Sequence, residues 1–212
     1  MNARRHLLAG VASAVVLRPF VAWAAVLRPT PAQTTGPYYP RELPLDRDND
    51  LVTVAGAPER AKGELTHVFG RVLDTDGRAV GGARVEIWQC NAFGRYHHPN
   101  DRRDAPLDPG FQGFGEAVTT GEGAYRFRTI RPVTYPGRTP HIHFAVTAPR
   151  GARLVTQMYV EGEPGNARDG LLNSIRDAEA RRSVIVALKP APEIEGGAIA
   201  GTFDIVLGGN TL

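Results

Sequence analysis

Short stretches in which apolar and polar residues alternate recur along the chain from residue 64 onward. In one of them, Ala83, Val85 and Ile87 alternate with charged side chains, and 125–128 shows the same period. Because successive side chains of a strand point to opposite faces, a period of two predicts half-buried β-strands. Strands are predicted at 68–73, 83–87, 125–128, 141–146, 154–160, 183–188 and 202–207, and one short helix at 167–175.

Residues that favour turns separate these segments. The chain contains 24 Gly and 17 Pro, and Asp74-Thr75-Asp76-Gly77 directly follows the first predicted strand. Many short strands with almost no helical period predict an all-β fold, an antiparallel β-sandwich with little helix, at residues 64–212. Residues 25–63 are rich in proline and are expected to form an extended N-terminal arm. The arm can wrap its own domain or a neighbouring copy, so a homo-oligomer is compatible with the sequence.

The first 24 residues have the pattern of an export signal. Arg4 and Arg5 precede a stretch of small apolar residues, and 22–24 reads Ala-Trp-Ala, which is typical of a cleavage site. The paired arginines indicate a twin-arginine signal, which predicts an exported, periplasmic protein. Arg18 and Pro19 interrupt the apolar stretch, so no stable membrane span is expected in the mature chain.

Charge and cysteine content exclude several classes of function. The formal net charge is +3, but outside the first 24 residues basic and acidic side chains are equal in number. Nothing therefore supports a basic surface for nucleic acid. Cys90 is the only cysteine, which rules out an intrachain disulfide and a zinc cluster built from several thiolates.

His141 and His143 are the first candidates for chemistry. Both fall in the strand predicted at 141–146, so their side chains share one face, roughly 6 to 7 Å apart. Two imidazoles on one face can grip a metal ion, although a pair of polar residues on a solvent-exposed face gives the same pattern. Tyr135 precedes His141 by six residues, and Tyr96 lies further upstream. Each tyrosine alone would be interpreted as a half-buried aromatic residue.

Several motifs taken together resemble the intradiol ring-cleavage dioxygenases, the family that contains protocatechuate 3,4-dioxygenase and catechol 1,2-dioxygenase. They occur in the order of the family and span about residues 33–165. The motifs are Thr35-Gly36-Pro37-Tyr38, Trp88-Gln89-Cys90-Asn91-Ala92 with Gly94-Arg95-Tyr96, Thr129-Ile130-Arg131-Pro132 with Tyr135-Pro136, Arg138 with His141-Ile142-His143-Phe144, and Thr156-Gln157-Met158-Tyr159.

The resemblance implies one ferric iron per chain, with Tyr96, Tyr135, His141 and His143 as its ligands. Phenolate is a hard anionic donor that suits Fe(III). The implied reaction uses O2 to cleave a catechol-type substrate between its two hydroxylated carbons, which gives a muconate-type diacid. In the family, the tyrosine at the position of Tyr135 leaves the iron when the substrate binds.

The resemblance also implies roles for residues around the iron. Arg138 would stabilise negative charge on the ring, and Gln157 would assist through its amide donors. Substrate-binding residues in the arm are implied to be Gly36, Pro37 and Tyr38. The segment between Tyr135 and His141 departs from the family because it is short and has glycine where protocatechuate enzymes carry an aromatic residue, which argues against protocatechuate itself as the substrate.

Two other interpretations stay open at this stage. Transthyretin-like and carboxypeptidase-regulatory sandwich domains share the pattern of 72–87 without the four ligands, and would make the chain a binding module. A two-histidine site can also hold zinc or Fe(II). Such sites normally add a carboxylate, and no Asp or Glu neighbours His141 or His143 in the sequence.

Overall fold

The computed structural model describes residues 26–151 and 153–209. The strands are β1 (Leu65–Asp74), β2 (Arg84–Trp88), β3 (Phe114–Val118), β4 (Ala124–Ile130), β5 (His141–Thr147), β6 (Arg153–Val160), β7 (Ile185–Val186), β8 (Lys189–Pro190), β9 (Ile199–Thr202) and β10 (Ile205–Leu207). A 3₁₀ turn spans Pro164–Arg168, and two short helices follow, α1 (Gly170–Asn173) and α2 (Ala178–Ser183). The predicted export signal lies outside the described residues. Within them, no helix has both the length and the apolar character needed to cross a membrane.

Two five-stranded sheets enclose the core, so the predicted β-sandwich is confirmed. One sheet contains β1, β4, β8, β9 and β10, and the other has the order β3-β2-β5-β6-β7. The inward faces meet at rings such as Phe127 of β4 and Phe144 of β5, whose centroids are 6.4 Å apart. Both side chains are fully buried, and their burial is the main source of stability for this layer packing.

The pairing is antiparallel through most of the sandwich, as predicted, and both sheets are mixed because three C-terminal strands pair in parallel. The pairs β1–β4, β2–β3, β2–β5 and β5–β6 are antiparallel, whereas β7 lies parallel to β6, and β9 and β10 lie parallel to β1. β9 and β10 keep one register along β1, with Val68 opposite Gly201 and Val72 opposite Ile205. The side-chain period reports burial and not strand direction, so it could not reveal this pairing.

Most predicted strands correspond to observed ones, and the differences occur near the C-terminus. Only Ile185–Val186 of the strand predicted at 183–188 is observed, as β7, and Ser183 ends α2, which begins after the capping residue Asp177. The helix predicted at 167–175 is divided at Asp169, whose backbone is extended and whose side chain caps α1. The predicted strand 202–207 is interrupted where Asp204 accepts a hydrogen bond from Arg71 N. Strand β3 has little alternation and is missed by the pattern.

Residues 26–63 run along the sandwich and are tied to both sheets. Backbone hydrogen bonds join Gln33 N to Val155 O on β6 and Leu51 N to Arg128 O on β4, each at 2.8 Å. Leu51 is fully buried in the core. The course of this segment brings residues 36–38 beside β5, the strand that carries the two histidines.

Candidate metal centre

Strand β5 lies between β2 and β6 and presents His141 and His143 on the same face. Each histidine is only 1% exposed, and their ring centroids are 4.9 Å apart. His143 lies opposite Trp88 of β2 and stacks on its indole, with a centroid distance of 4.8 Å and an interplanar angle of 6°. The predicted common face is therefore observed, and it is a buried face and not a solvent-exposed one.

The protonation of the histidines suits metal binding. The Nδ1 of His141 is 2.7 Å from the carbonyl oxygen of Thr139, so Nδ1 carries the proton and Nε2 keeps its lone pair. Burial and the charge of Arg138 lower the pKa of His141 to about 4. Burial also holds the pKa of His143 well below its ordinary value. Both rings are thus neutral at neutral pH, which is the form that binds metals.

A tight turn places Tyr135 and Arg138 against His141. Arg138 N donates to Tyr135 O at 2.9 Å, with Pro136 second in the turn and Gly137 third, at a φ of 81°. This is the pattern of a type II turn, whose third position requires a positive φ and therefore favours glycine. As a result, Tyr135 Oη lies 3.4 Å and Arg138 Nη1 lies 3.3 Å from the same atom, Nε2 of His141.

Tyr96 reaches the site from the loop after β2. The Asn91 carboxamide oxygen accepts hydrogen bonds from Phe93 N and Arg95 N and so turns the chain. Gly94 then packs so closely on the Tyr135 turn that a Cβ atom there would lie 2.9 Å from Thr134 O. The Tyr96 side chain is buried, with its ring centroid 5.7 Å from that of Tyr135.

Tyr96 Oη is buried without a hydrogen-bond partner among the residues described. Burial and the neighbouring Tyr135 raise its pKa well above the ordinary value, and burial raises the pKa of Tyr135 as well. Buried polar atoms normally have a partner, so an unpaired phenol oxygen on a ring 6.4 Å from that of His143 fits a metal ligand. A bound cation would also offset the cost of ionising buried phenols.

Among residues 26–151 and 153–209, no cluster of three or more His, Cys, Asp or Glu side chains is arranged to hold a metal. The candidate donors beside His141 and His143 are instead the phenols of Tyr96 and Tyr135. This donor set does not have the carboxylate that the zinc or Fe(II) interpretation would normally require.

Hydrogen bonds to two buried side chains fix the position of the Arg138 guanidinium. Its Nε donates to Asp169 at 2.8 Å, and its Nη2 donates to the Gln157 side-chain oxygen at 2.6 Å. Nη1 is thereby left facing His141. The Gln157 side-chain nitrogen donates to Thr34 O at 3.3 Å. Gln157 thus directs its oxygen at Arg138, and one of its two amide N–H donors is used by the backbone of the arm.

Of the three predicted substrate-binding residues in the arm, two contact the site. Gly36 has a φ of 70°, and a Cβ atom there would lie 3.3 Å from Cε1 of His143. The Tyr38 ring stacks on the Tyr96 ring with a centroid distance of 4.6 Å. Pro37 lies between them and is exposed.

Sequence reasoning missed the residues that hold the site together. The most important are Asp169, which anchors Arg138, and Thr139, whose carbonyl oxygen orients His141. Gln33 also escaped notice, although its side chain donates to Tyr159 and accepts from the backbone of Gln157. Asp169 could have been recognised as a helix cap from the apolar residues that follow it, but nothing in the sequence connects it to Arg138.

Comparison with known proteins gives the family of the chain. The family model described as "Dioxygenase" matches residues 34–209. The protocatechuate 3,4-dioxygenase beta chain of Burkholderia cepacia is 45% identical over 170 residues, which cover 76% of this chain and 72% of that relative. The chain belongs to the intradiol ring-cleavage dioxygenase family. The resemblance inferred from the sequence motifs is therefore confirmed.

The share of each relative that the chain covers varies within the family. Catechol 1,2-dioxygenase of Candida albicans is 31% identical over 148 residues, which cover 61% of this chain and 46% of that protein. The chain thus spans about half the length of that relative. Among solved structures, the dioxygenase domain of a carbohydrate-binding fusion protein from Streptomyces sp. SirexAA-E superposes with a TM-score of 0.66 and 32% identity, covering 85% of this chain and 99% of that chain. Family membership disfavours the transthyretin-like binding module.

Proposed function

We propose that this intradiol-family chain is a non-haem ferric dioxygenase that uses O2 to open a catechol-type ring between its hydroxylated carbons, which gives a muconate-type diacid. The observation that carries this proposal is the convergence of two phenols and two imidazoles in one buried cluster beside Arg138. The names of the relatives, which include protocatechuate 3,4-dioxygenase and catechol 1,2-dioxygenase, support the same reaction class.

The residues that would hold one Fe(III) per chain are Tyr96, Tyr135, His141 and His143. Phenolate oxygens and neutral imidazole nitrogens together form a donor set that favours the ferric ion. When bound, the iron would supply a Lewis acid for the two catechol oxygens and would make the ring reactive towards O2.

The two tyrosines have different surroundings, which suggests different roles. Tyr96 is 3% exposed and is held in a loop packed beneath the arm, whereas Tyr135 is half-buried on a two-residue turn. Tyr135 is therefore the tyrosine with room to move when a catechol arrives. Its Oη, once displaced, would take one of the two catechol protons.

Arg138 supplies a fixed positive charge for the reacting ring. Its guanidinium is held by Asp169 and Gln157, which leaves Nη1 directed at His141 and at the place that the substrate would occupy. A pre-oriented cation in a site shielded from water stabilises developing negative charge more strongly than a solvated one. In this assignment Arg138 is catalytic, and Gln157 acts by positioning it.

The arm would form the roof over the substrate. Gly36 permits the close approach to His143, and Tyr38 covers the ring of Tyr96. Together with Pro37, these residues would bind the aromatic ring and exclude water.

Oxygen uptake on a panel of catechol, protocatechuate and hydroxyquinol, with product mass, tests the reaction. We expect one iron per chain, a visible tyrosinate-to-iron absorption band, and a product heavier than the substrate by both atoms of O2. Replacing His143 with alanine should abolish iron and colour, and the matched His97→Ala variant, at an exposed position, should keep both. A colourless zinc protein, or normal turnover by His143→Ala, would contradict the assignment.

We also propose that the protein is exported through the twin-arginine route, on the basis of Arg4, Arg5 and the Ala-Trp-Ala at 22–24. Replacing both arginines with lysine should retain the protein in the cytoplasmic fraction. Periplasmic recovery of that variant would exclude the route.

A further inference from the structure

A second arginine lies against the tyrosine rings of the site. The Cζ atom of Arg103 is 4.7 Å from the ring centroid of Tyr135 and 5.7 Å from that of Tyr38. The contact with Tyr135 is shorter than the centroid distances from Tyr135 to Tyr96 and His141, which are 5.7 and 5.4 Å. A guanidinium within about 6 Å of a ring centroid attracts the electron-rich face of the ring.

Arg103 is held in this position by a buried carboxylate. The Asp101 side chain has no exposed surface and accepts a hydrogen bond from Arg103 Nε at 2.7 Å and a second from Nη2. It also accepts from Tyr96 N at 2.8 Å. Because this two-point fork fixes the plane of the guanidinium, Arg103 keeps a set orientation relative to the Tyr96 backbone.

Hydrogen bonds within the loop that carries Arg103 hold its two sides together without the contact between Arg103 and Tyr135. Asn91 donates to Pro106 O at 2.9 Å, and Arg95 donates to Ala105 O at 2.6 Å. Tyr135, in contrast, is half-buried on a turn outside the sheets. The cation from the Tyr96 loop therefore adds a restraint on a ring that is only partly buried, at the edge of the cluster that includes Trp88, Cys90 and Tyr96.

We propose that Arg103 is a positioning residue that latches Tyr135 in its resting orientation, so that it sets how readily Tyr135 gives way to an incoming catechol. This inference rests on the proposed function, in which Tyr135 moves. Arg103 contacts the Tyr135 ring in its resting orientation, and this contact is lost when the ring is displaced. The free energy of the contact is therefore added to the cost of displacing Tyr135. Replacing Arg103 should therefore raise the affinity for catechol. General damage to the loop would lower that affinity.

The main test measures catechol affinity without oxygen, so that binding is separated from turnover. The Arg103→Gln variant should bind catechol roughly 2- to 30-fold more tightly than the unmodified protein, the range that a cation–ring contact provides. Its KM should fall by a similar factor, and its resting visible band should shift. Arg102→Gln makes the same charge change at the exposed neighbouring position and should leave affinity and colour unchanged.

The single variant leaves Asp101 without its cation and can weaken the loop. The double variant Asp101→Asn with Arg103→Gln removes the ion pair as a pair and serves as the second test. Unchanged or weaker catechol binding in both variants, at full iron content, would overturn the latch.

A second readout does not require metal. In iron-free protein labelled with fluorotyrosine, the Tyr135 resonance, assigned with Tyr135→Phe, should shift in Arg103→Gln and stay in place in Arg102→Gln. An unshifted resonance would also overturn the latch. If the unmodified protein bound no iron and cleaved no catechol, the proposed function would fail, while this resonance would still report whether Arg103 restrains Tyr135.

Discussion

Replacing Asp169 with asparagine isolates the anchor of Arg138. The Oδ2 atom of Asp169 accepts from Arg138 Nε at 2.8 Å and from Thr139 N at 3.0 Å, while Oδ1 accepts from Leu171 N and Leu172 N at the start of α1, each at 3.0 Å. Asparagine caps helices about as well as aspartate, so the cap is retained. The NH₂ group of the asparagine then takes the place of Oδ2 and faces the N–H donors of Arg138 and Thr139. The side chain at this position has no exposed surface, so water cannot accept from these donors.

The expected cost follows from these contacts. A hydrogen bond to a charged group contributes about 1.5–3 kcal/mol, and a buried N–H left without an acceptor costs about 1–3 kcal/mol. Gln157 still accepts a hydrogen bond from Arg138 Nη2, so the buried guanidinium keeps a side-chain acceptor. We expect the free energy of unfolding to fall by about 3 kcal/mol, which lowers Tm by roughly 6–12 °C for a chain of this size.

Asp177→Asn is the matched control for this measurement. Asp177 caps α2 in the same way, but it is exposed, and its ion pair with Arg28 lies on the surface. Losing such a pair costs about 0–1 kcal/mol. Urea unfolding of the iron-free variants compares the two directly, and the iron-loaded Asp169→Asn protein should also turn over more slowly because Arg138 Nη1 is no longer held in place. Equal stability of the two variants would refute the anchoring role of Asp169.

Three further predictions concern other parts of the molecule. Hydrogen bonds from Arg128 lower the pKa of Glu195 to about 2. This carboxylate therefore stabilises the fold above the ordinary pKa of glutamate and loses that effect as the pH falls towards 2. The urea midpoint of unfolding should decline over this pH range, and Glu195→Gln should make the decline smaller. Gly94→Ala should lower iron content, because its Cβ would lie 2.9 Å from Thr134 O at a φ of 75°, whereas Gly121→Ala, with nothing within 4 Å, should not. Chelating the iron should abolish the visible band and lower Tm, since a ligand that binds only the folded state stabilises it; an unchanged Tm would argue against a buried site.

The extent to which the sequence predicted the fold depended on how strongly each segment alternates. β2 and β5 were placed to within about a residue at each end, because their apolar residues repeat every second position, although nearly every residue of both strands is buried. The C-terminal region was predicted least well. There, Asp177 and Asp204 redirect the backbone with their own side chains, and a two-residue strand such as β7 is too short to show any period.

The sequence by itself determined the family of the chain, and through that resemblance it supplied the candidate metal donors. It could do so because two histidines at a spacing of two must share a face of a strand, and because the order of the motifs identifies relatives. Only the tertiary structure decided which side chains orient those donors. Asp169 is 31 residues from Arg138 and their contact is made by folding, as are the contacts of Gln33 with Tyr159 and of Arg103 with Tyr135. Such contacts depend on how loops pack against the edges of the sheets. The periodicity of apolar residues along the chain carries no information about this packing.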